Sequence, residues 1–176
     1  MAIQAKFAKI KPFHYICDIM KIKLLLVGKT VESYLRKGIG DYQDRLKHYV
    51  SFELTEILEL KQASALTRDQ IKIKEGELIL KQLRDSDDVI LLDEHGARFT
   101  SVAWAAHLQQ KMIHSSRDIV FVIGGSYGFS KAVYDRADSM LSLSDMTFSH
   151  QMVRLLFVEQ LYRAFTIMKG EPYHHE

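Results

Sequence analysis

The chain has 176 residues, 47% of them hydrophobic, which suits one compact α/β domain with a single core rather than two domains. A formal net charge of +2 permits an anionic partner without the dense basic stripe of a dedicated nucleic-acid module, so charge alone leaves RNA open. The single cysteine, Cys17, excludes an internal disulfide and a cysteine-based zinc cage and points to a reducing, cytoplasmic setting, and no run approaches the roughly 20 apolar residues of a membrane span.

Met1 to Ile19 do not lead into the pattern that follows. Two lysine-flanked apolar patches and Pro12 precede a second methionine, Met20, without the longer apolar stretch and small-residue cleavage site of a secretory signal. Residues 1–19 are expected to be an extension outside the natural fold, or else a surface arm, and 20–176 to form the domain. Lys21 to Val27 reads as a short buried strand ending at Gly28. Leu35, Ile39, Tyr42, Leu46 and Tyr49 recur at helical spacing, which predicts a helix from about Val31 to Val50. Phe52 to Leu60 predicts a second strand. The charged segment Thr67 to Leu83 predicts a mostly exposed helix with Ile71, Leu78, Ile79 and Leu83 on one stripe and Gly76 weakening it.

Asp88 to Leu92 predicts the third strand, ended by a turn at Asp93-Glu-His-Gly96. Thr100 or Ser101 caps a helix carrying Val102, Ala105, Leu108 and Met112. Asp118 to Ile123 is apolar on both faces, as a central parallel strand must be. A short helix capped by Ser130, a fifth strand from Ser139 to Ser144 and a last helix from Gln151 to Met168 complete the set. Strands alternating with helices imply a parallel sheet.

The turn Gly124-Gly-Ser-Tyr-Gly128 follows the fourth strand, where open α/β sheets place ligands, and glycine there lets backbone amides come close to one. Its pattern is neither a dinucleotide GxGxxG nor a P-loop, and a tight strand-to-helix turn explains it equally well. The last helix is apolar almost all round. One sheet cannot cover every side of it, which predicts a second copy of the chain against it. His150 and Arg154 share one face, and Glu159 and Arg163 another, the latter as a structural ion pair. Arg154 lies in the first helical turn, where the dipole disfavours a cation, so the sequence assigns it to an anion. Gly170 and Pro172 end the helix, leaving the tail Tyr173-His-His175. His48, His107 and His114 show no metal-ligand spacing, and Asp93 and Glu94 suit a substrate hydroxyl or ordinary turn chemistry.

The combination of Ile123-Gly-Gly-Ser-Tyr-Gly128, Leu141-Ser-Leu-Ser-Asp-Met-Thr-Phe148, His150-Gln-Met-Val-Arg154, Glu159-Gln-Leu-Tyr-Arg-Ala164 and Pro172-Tyr-His174 closely resembles one bacterial family. This is the large-subunit (23S) ribosomal RNA pseudouridine N3-methyltransferases, small members of the SPOUT superfamily. The resemblance runs from Met20 to the end. It implies a parallel-sheet three-layer sandwich with a C-terminal trefoil knot, an exception to the usual absence of knots. It further implies a homodimer acting on RNA within the ribosome, with S-adenosylmethionine and no metal. By motif match Leu92, Gly124, Leu143, Ser144, Asp145, Met146, Thr147 and Phe148 line the cofactor pocket.

Methyl transfer to N3 requires that nitrogen deprotonated and held in line with the methyl group. His174 is the expected base or orienting group, Arg154 the cation that stabilises the imidate or grips a phosphate, and Tyr173 a stacking or hydrogen-bonding partner of the base. The family commonly has another pair where this chain has Ser126-Tyr127, which weakens only claims about those side chains. A non-catalytic RNA-binding or ribosome-assembly module of the same fold is the competing reading. A Rossmann-type oxidoreductase is disfavoured, because the first strand lacks GxGxxG.

Overall fold

The computed structural model describes residues 20–58, 60 and 63–174, so the expectation for residues 1–19 lies outside the described residues. The elements in chain order are β1 (Lys21–Val27), α1 (Ser33–Leu46), β2 (Ser51–Ile57), α2 (Arg68–Leu80), β3 (Asp88–Ala97), α3 (Ser101–His114), β4 (Ile119–Ile123), α4 (Lys131–Arg136), β5 (Ser139–Leu141) and α5 (Met152–Lys169), with a 3-10 turn at Ala63–Ala65. The five strands pair in parallel in the order β2-β1-β4-β3-β5. Every residue of β4 is buried, as its two-sided apolar composition requires.

The two faces of the sheet carry separate cores, which makes three layers. On one face Leu24, Phe121, Trp104, Phe157 and Phe165 pack with α1, α3 and α5. On the other, Val27, Val89, Val122, Ile79 and Val133 pack with α2 and α4. Gly76 does more than weaken α2: a Cβ there would lie 2.2 Å from Ser130 Oγ, so the glycine lets α2 close onto the start of α4. Thr67 and Gln70 start α2 with a reciprocal capping box, and Thr100 caps α3 through its side chain, whereas Ser130 makes no such cap bond.

Two boundaries differ from expectation for reasons that bear on the site. β5 stops at Leu141 rather than Ser144, because Ser142 Oγ donates to Ser144 O and Ser144 Oγ accepts from Met146 N–H, turning the chain away from the sheet. Asp93 to Gly96, expected to be a plain turn, instead continue β3 irregularly to Ala97, which returns to the same neighbour. Leu92 and Ala97 both pair with Leu141, and Ser142 N–H donates to Ala97 O at 2.9 Å. Gly96 lies directly over the β5 backbone there, since a Cβ would stand 2.5 Å from Leu141 N and C. A side chain at position 96 has no room.

The last helix is flanked by α1 and α3 as well as by the sheet, more cover than its composition alone suggests. Leu155 packs against Gly38 of α1. Even so, Val153, Leu155, Tyr162, Ile167 and Met168 remain only half-buried.

Candidate active site

The carboxyl ends of β3, β4 and β5 open into a cleft of about 420 Å³. Its floor is the end of β4 with Gly124 and Gly125; Leu92, Asp93 and Glu94 supply one side and the loop 141–150 the other, closed by Val153 from α5. Parallel strands end here together, and each loses its ladder partners at the same level, so the loops that follow form one rim. The glycines are required by close packing. A Cβ on Gly124 would meet the Phe129 ring at 3.0 Å, and one on Gly125 would meet the Glu75 carboxylate at 2.5 Å. Gly128 has φ +78°, which a side chain rarely adopts.

Of the residues assigned to the cofactor from sequence, Leu92, Gly124, Leu143, Ser144, Met146, Thr147 and Phe148 face this cleft. Asp145 does not; it is exposed and pairs with Arg98 at 2.7 Å on the outer side of the loop. Sequence reasoning passed over Ser142, Ser149, His150 and Val153, which also line it, and left Asp93 and Glu94 ambiguous. Ser142 directly follows β5, whereas Ser149, His150 and Val153 stand at the start of α5, eight to twelve residues beyond that strand. Asp93 accepts hydrogen bonds from Tyr134 Oη (2.6 Å) and His95 N–H (2.9 Å), and Tyr134 is pushed up to about 12 by burial and by that carboxylate. Among the described residues the lining holds two carboxylates and one imidazole and no lysine or arginine.

Arg154 has a different job from the one its sequence position suggests. It is fully buried, and its guanidinium donates to Val27 O (2.7 Å), Gly28 O (3.1 Å), Thr30 Oγ1 (3.0 Å) and His150 O (3.0 Å). The charge that disfavours a helix N-terminus is directed sideways, into the carbonyls at the end of β1.

The tail folds back along α5. Gly170, at φ +68°, ends the helix, and Tyr173 packs edge-on against Tyr162 with ring centroids 4.9 Å apart. Tyr173 Oη donates to Glu159 Oε1 (3.1 Å) and lies 3.2 Å from Tyr42 Oη. Glu159 and Arg163 form the expected ion pair at 2.6 Å, yet the pair also organises the tail. The Arg163 guanidinium covers the Tyr173 ring at 4.7 Å, and Nη1 donates to His174 Nδ1 at 3.3 Å. Burial, the Tyr42 hydroxyl and the Glu159 charge raise the Tyr173 phenol well above its ordinary value. Tyr173 therefore remains a neutral donor in the ordinary pH range.

The cleft and the tail stand apart in one chain. Val153 lines the cleft, whereas Glu159 and Arg163 follow six and ten residues later, about 9 and 15 Å along the helix axis. Among the described residues no cluster of histidine, cysteine or carboxylate side chains is arranged to hold a metal, and no helix is long and apolar enough to cross a membrane.

A parallel α/β sheet with a glycine-floored cleft at its carboxyl edge defines a ligand-binding α/β protein. The sequence model described as Predicted SPOUT methyltransferase matches residues 20–174, and the chain belongs to that family. Within it the chain belongs with the proteins named Ribosomal RNA large subunit methyltransferase H. It is 53% identical to that of Bacteroides fragilis over 157 residues, covering 89% of this chain and 100% of the relative. It is 55% identical to that of Christiangramia forsetii over 156 residues, covering 89% and 99%. A solved structure of a probable methyltransferase from Bordetella pertussis Tohama I shares the fold, with a TM-score of 0.51 at 10% identity over 87% of this chain and 98% of that one.

Proposed function

We propose that this protein methylates N3 of a pseudouridine in large-subunit ribosomal RNA, within the assembled ribosome in the cytoplasm, using S-adenosylmethionine and acting as a homodimer. The observation that carries the reading is the charge of the cleft. A dinucleotide or phosphorylated ligand calls for cations or a phosphate-binding turn, whereas this lining offers Asp93 and Glu94 and, among the described residues, no basic side chain other than His150. Such a cleft suits a cationic donor with an apolar heterocycle. Leu92, Leu143, Met146 and Phe148 would hold the adenine, the 142–148 backbone its polar edges, and the acidic rim the charged end. Its volume lies in the range of roughly 300–1,000 Å³ usual for small-molecule sites.

When bound, the donor supplies an electrophilic methyl group on sulfur. The chain's own residues must orient the acceptor and take up charge as N3 loses its proton. With Nδ1 accepting from Arg163, a neutral His174 carries its proton on Nε2 and presents it as a donor. We assign that donor to an imide oxygen beside N3, where the negative charge gathers, and the N3 proton passes to water. Tyr173, kept neutral, donates or stacks on the base, and Glu159 with Arg163 holds both tail residues in place. Arg154 we place among the positioning residues rather than at the reacting atoms.

The offset of about 9–15 Å along α5 between Val153 of the cleft wall and the tail's anchors Glu159 and Arg163 is large beside the roughly 3–3.5 Å that reacting atoms need, which supports a second copy supplying its tail to this cleft. The half-exposed apolar face of α5 is where that copy would pack. On this reading the C-terminal part of the fold carries the family's trefoil knot. The test is incubation with methyl-labelled donor and ribosomes lacking the modification, followed by mass spectrometry of the nucleosides. Labelled N3-methylpseudouridine is the expected product. Ribosome binding without label would instead mark a non-catalytic module.

A further inference from the structure

The turn after β1 is bolted to the wall of the cleft. Val27 and Gly28 stand at the end of a parallel strand, where their buried carbonyls have run out of ladder partners and need donors from elsewhere. Arg154 supplies them: Nη2 to Val27 O, Nη1 to Gly28 O and to Thr30 Oγ1, while Nε holds His150 O in the turn just before α5. A planar, five-donor guanidinium can serve acceptors on two segments at once; an ammonium cannot match that geometry. Gln151 extends the bolt. Its Oε1 accepts from Val31 N–H and its Nε2 donates to Lys29 O, both at 3.0 Å.

His150 and Val153, each the residue immediately before one of this pair, line the cleft, whereas the turn it grips runs outward to Val31 and Tyr34, 63% and 60% exposed. We propose that Arg154 and Gln151 are positioning residues that make the 29–34 turn and the 150–153 wall respond as one unit, so that filling the cleft tightens the turn. The proposal rests on the reading of the cleft as the donor site. Neither residue touches substrate. Their hydrogen bonds to the turn span 120 to 127 residues of sequence, so they set a tertiary distance rather than a local conformation.

The experiment uses the full chain, titrated with S-adenosylmethionine by calorimetry and followed by hydrogen exchange of the peptide containing 29–34. In the unsubstituted protein the donor should slow exchange in that peptide at least about tenfold, as expected for a locally tightened segment. In Gln151→Ala, which removes two bonds from a half-buried residue, donor affinity should fall roughly three- to tenfold and the response of 29–34 should be lost. Arg154→Lys should weaken donor binding further, while kcat at saturating donor falls less than about threefold. Two results overturn the proposal: Gln151→Ala with unchanged affinity and an intact exchange response, or Arg154→Lys with normal affinity and a loss of kcat of roughly tenfold or more, which would make Arg154 a substrate-contacting cation. If Arg154→Lys does not fold, Gln151→Ala decides. Absence of donor binding by the unsubstituted protein would defeat the reading of the cleft. The bolt itself is then judged without ligand, where Gln151→Ala must accelerate exchange of the 29–34 peptide or the proposal fails.

Discussion

Replacing Gly96 by alanine tests whether the closure of segment 93–97 over β5 holds the site together. The added Cβ would lie 2.5 Å from both Leu141 N and Leu141 C and 2.7 Å from Met140 C, so backbone rather than a flexible side chain must move. Overpacking of this kind costs roughly 1–3 kcal/mol. The shift also strains the 2.9 Å bond from Ser142 N–H to Ala97 O, whose loss adds about 1 kcal/mol. The expected destabilisation is thus about 2–4 kcal/mol, and at roughly 2–4 °C per kcal/mol for a domain of this size the thermal midpoint should drop by about 5–15 °C. Leu92 and Leu141 flank the closure and line the cleft, so affinity for S-adenosylmethionine should fall by about tenfold or more. Circular dichroism melts at fixed protein concentration and calorimetric titration measure both. A midpoint within about 2 °C of the unsubstituted protein, with affinity changed less than about twofold, would refute the reasoning.

Three further outcomes are expected. His174→Ala should leave donor affinity nearly unchanged and slow methyl transfer at least roughly tenfold in the ribosome assay; normal turnover would return the tail to a packing role. Met146, 75% exposed in the cleft wall, should be covered by the donor, so Met146→Ala should weaken binding by about 1–2 kcal/mol, or roughly 5- to 30-fold; unchanged affinity would move the heterocycle elsewhere. Burial pushes Asp138 up, but the Val89 N–H and Arg117 outweigh it and hold the carboxyl below its ordinary value. Its contribution to stability is therefore present above its unfolded value near 3.8 and lost as pH falls through the lower folded value. Urea midpoints should separate Asp138→Asn from the unsubstituted protein at pH 7 and converge in strong acid, and a gap independent of pH would contradict this.

Patterns confined to one element were legible in the sequence. β4 showed itself by a continuous apolar run, α1 by its spacing, and the site by the glycines after β4, because strand ends in a parallel sheet necessarily gather at one edge. Features that depend on distant partners were not. The 93–96 segment looked like a turn because its polar residues and glycine are turn residues; only the return to Leu141 explains why position 96 must be glycine. Asp145 shares the 142–150 loop with eight residues that line the cleft, yet its carboxylate pairs with Arg98. Arg154 was read against its own helix dipole, an effect of roughly 0.3–1 kcal/mol, whereas hydrogen bonds from a charged group to otherwise orphaned buried carbonyls outweigh that.

The same comparison of magnitudes sorts the cations of α5. Arg154 and Arg163 are nine residues apart, and both carry charge-assisted hydrogen bonds. Arg154 is sealed, so a substrate could reach it only by breaking bonds to β1 whose loss would uncover buried carbonyls. Arg163 is half-buried; it is paired with Glu159, lies over the Tyr173 ring and donates to His174. A charge so placed can bias the histidine tautomer and hold two tail residues while its surroundings stay open to an RNA base. On the proposed reading, one arginine therefore shapes the donor site from inside the chain, and the other prepares a tail for a neighbouring cleft. The division follows from helix geometry: at 1.5 Å per residue, α5 is long enough to keep the two tasks apart, and its half-exposed apolar side chains are where the proposed second chain would lie.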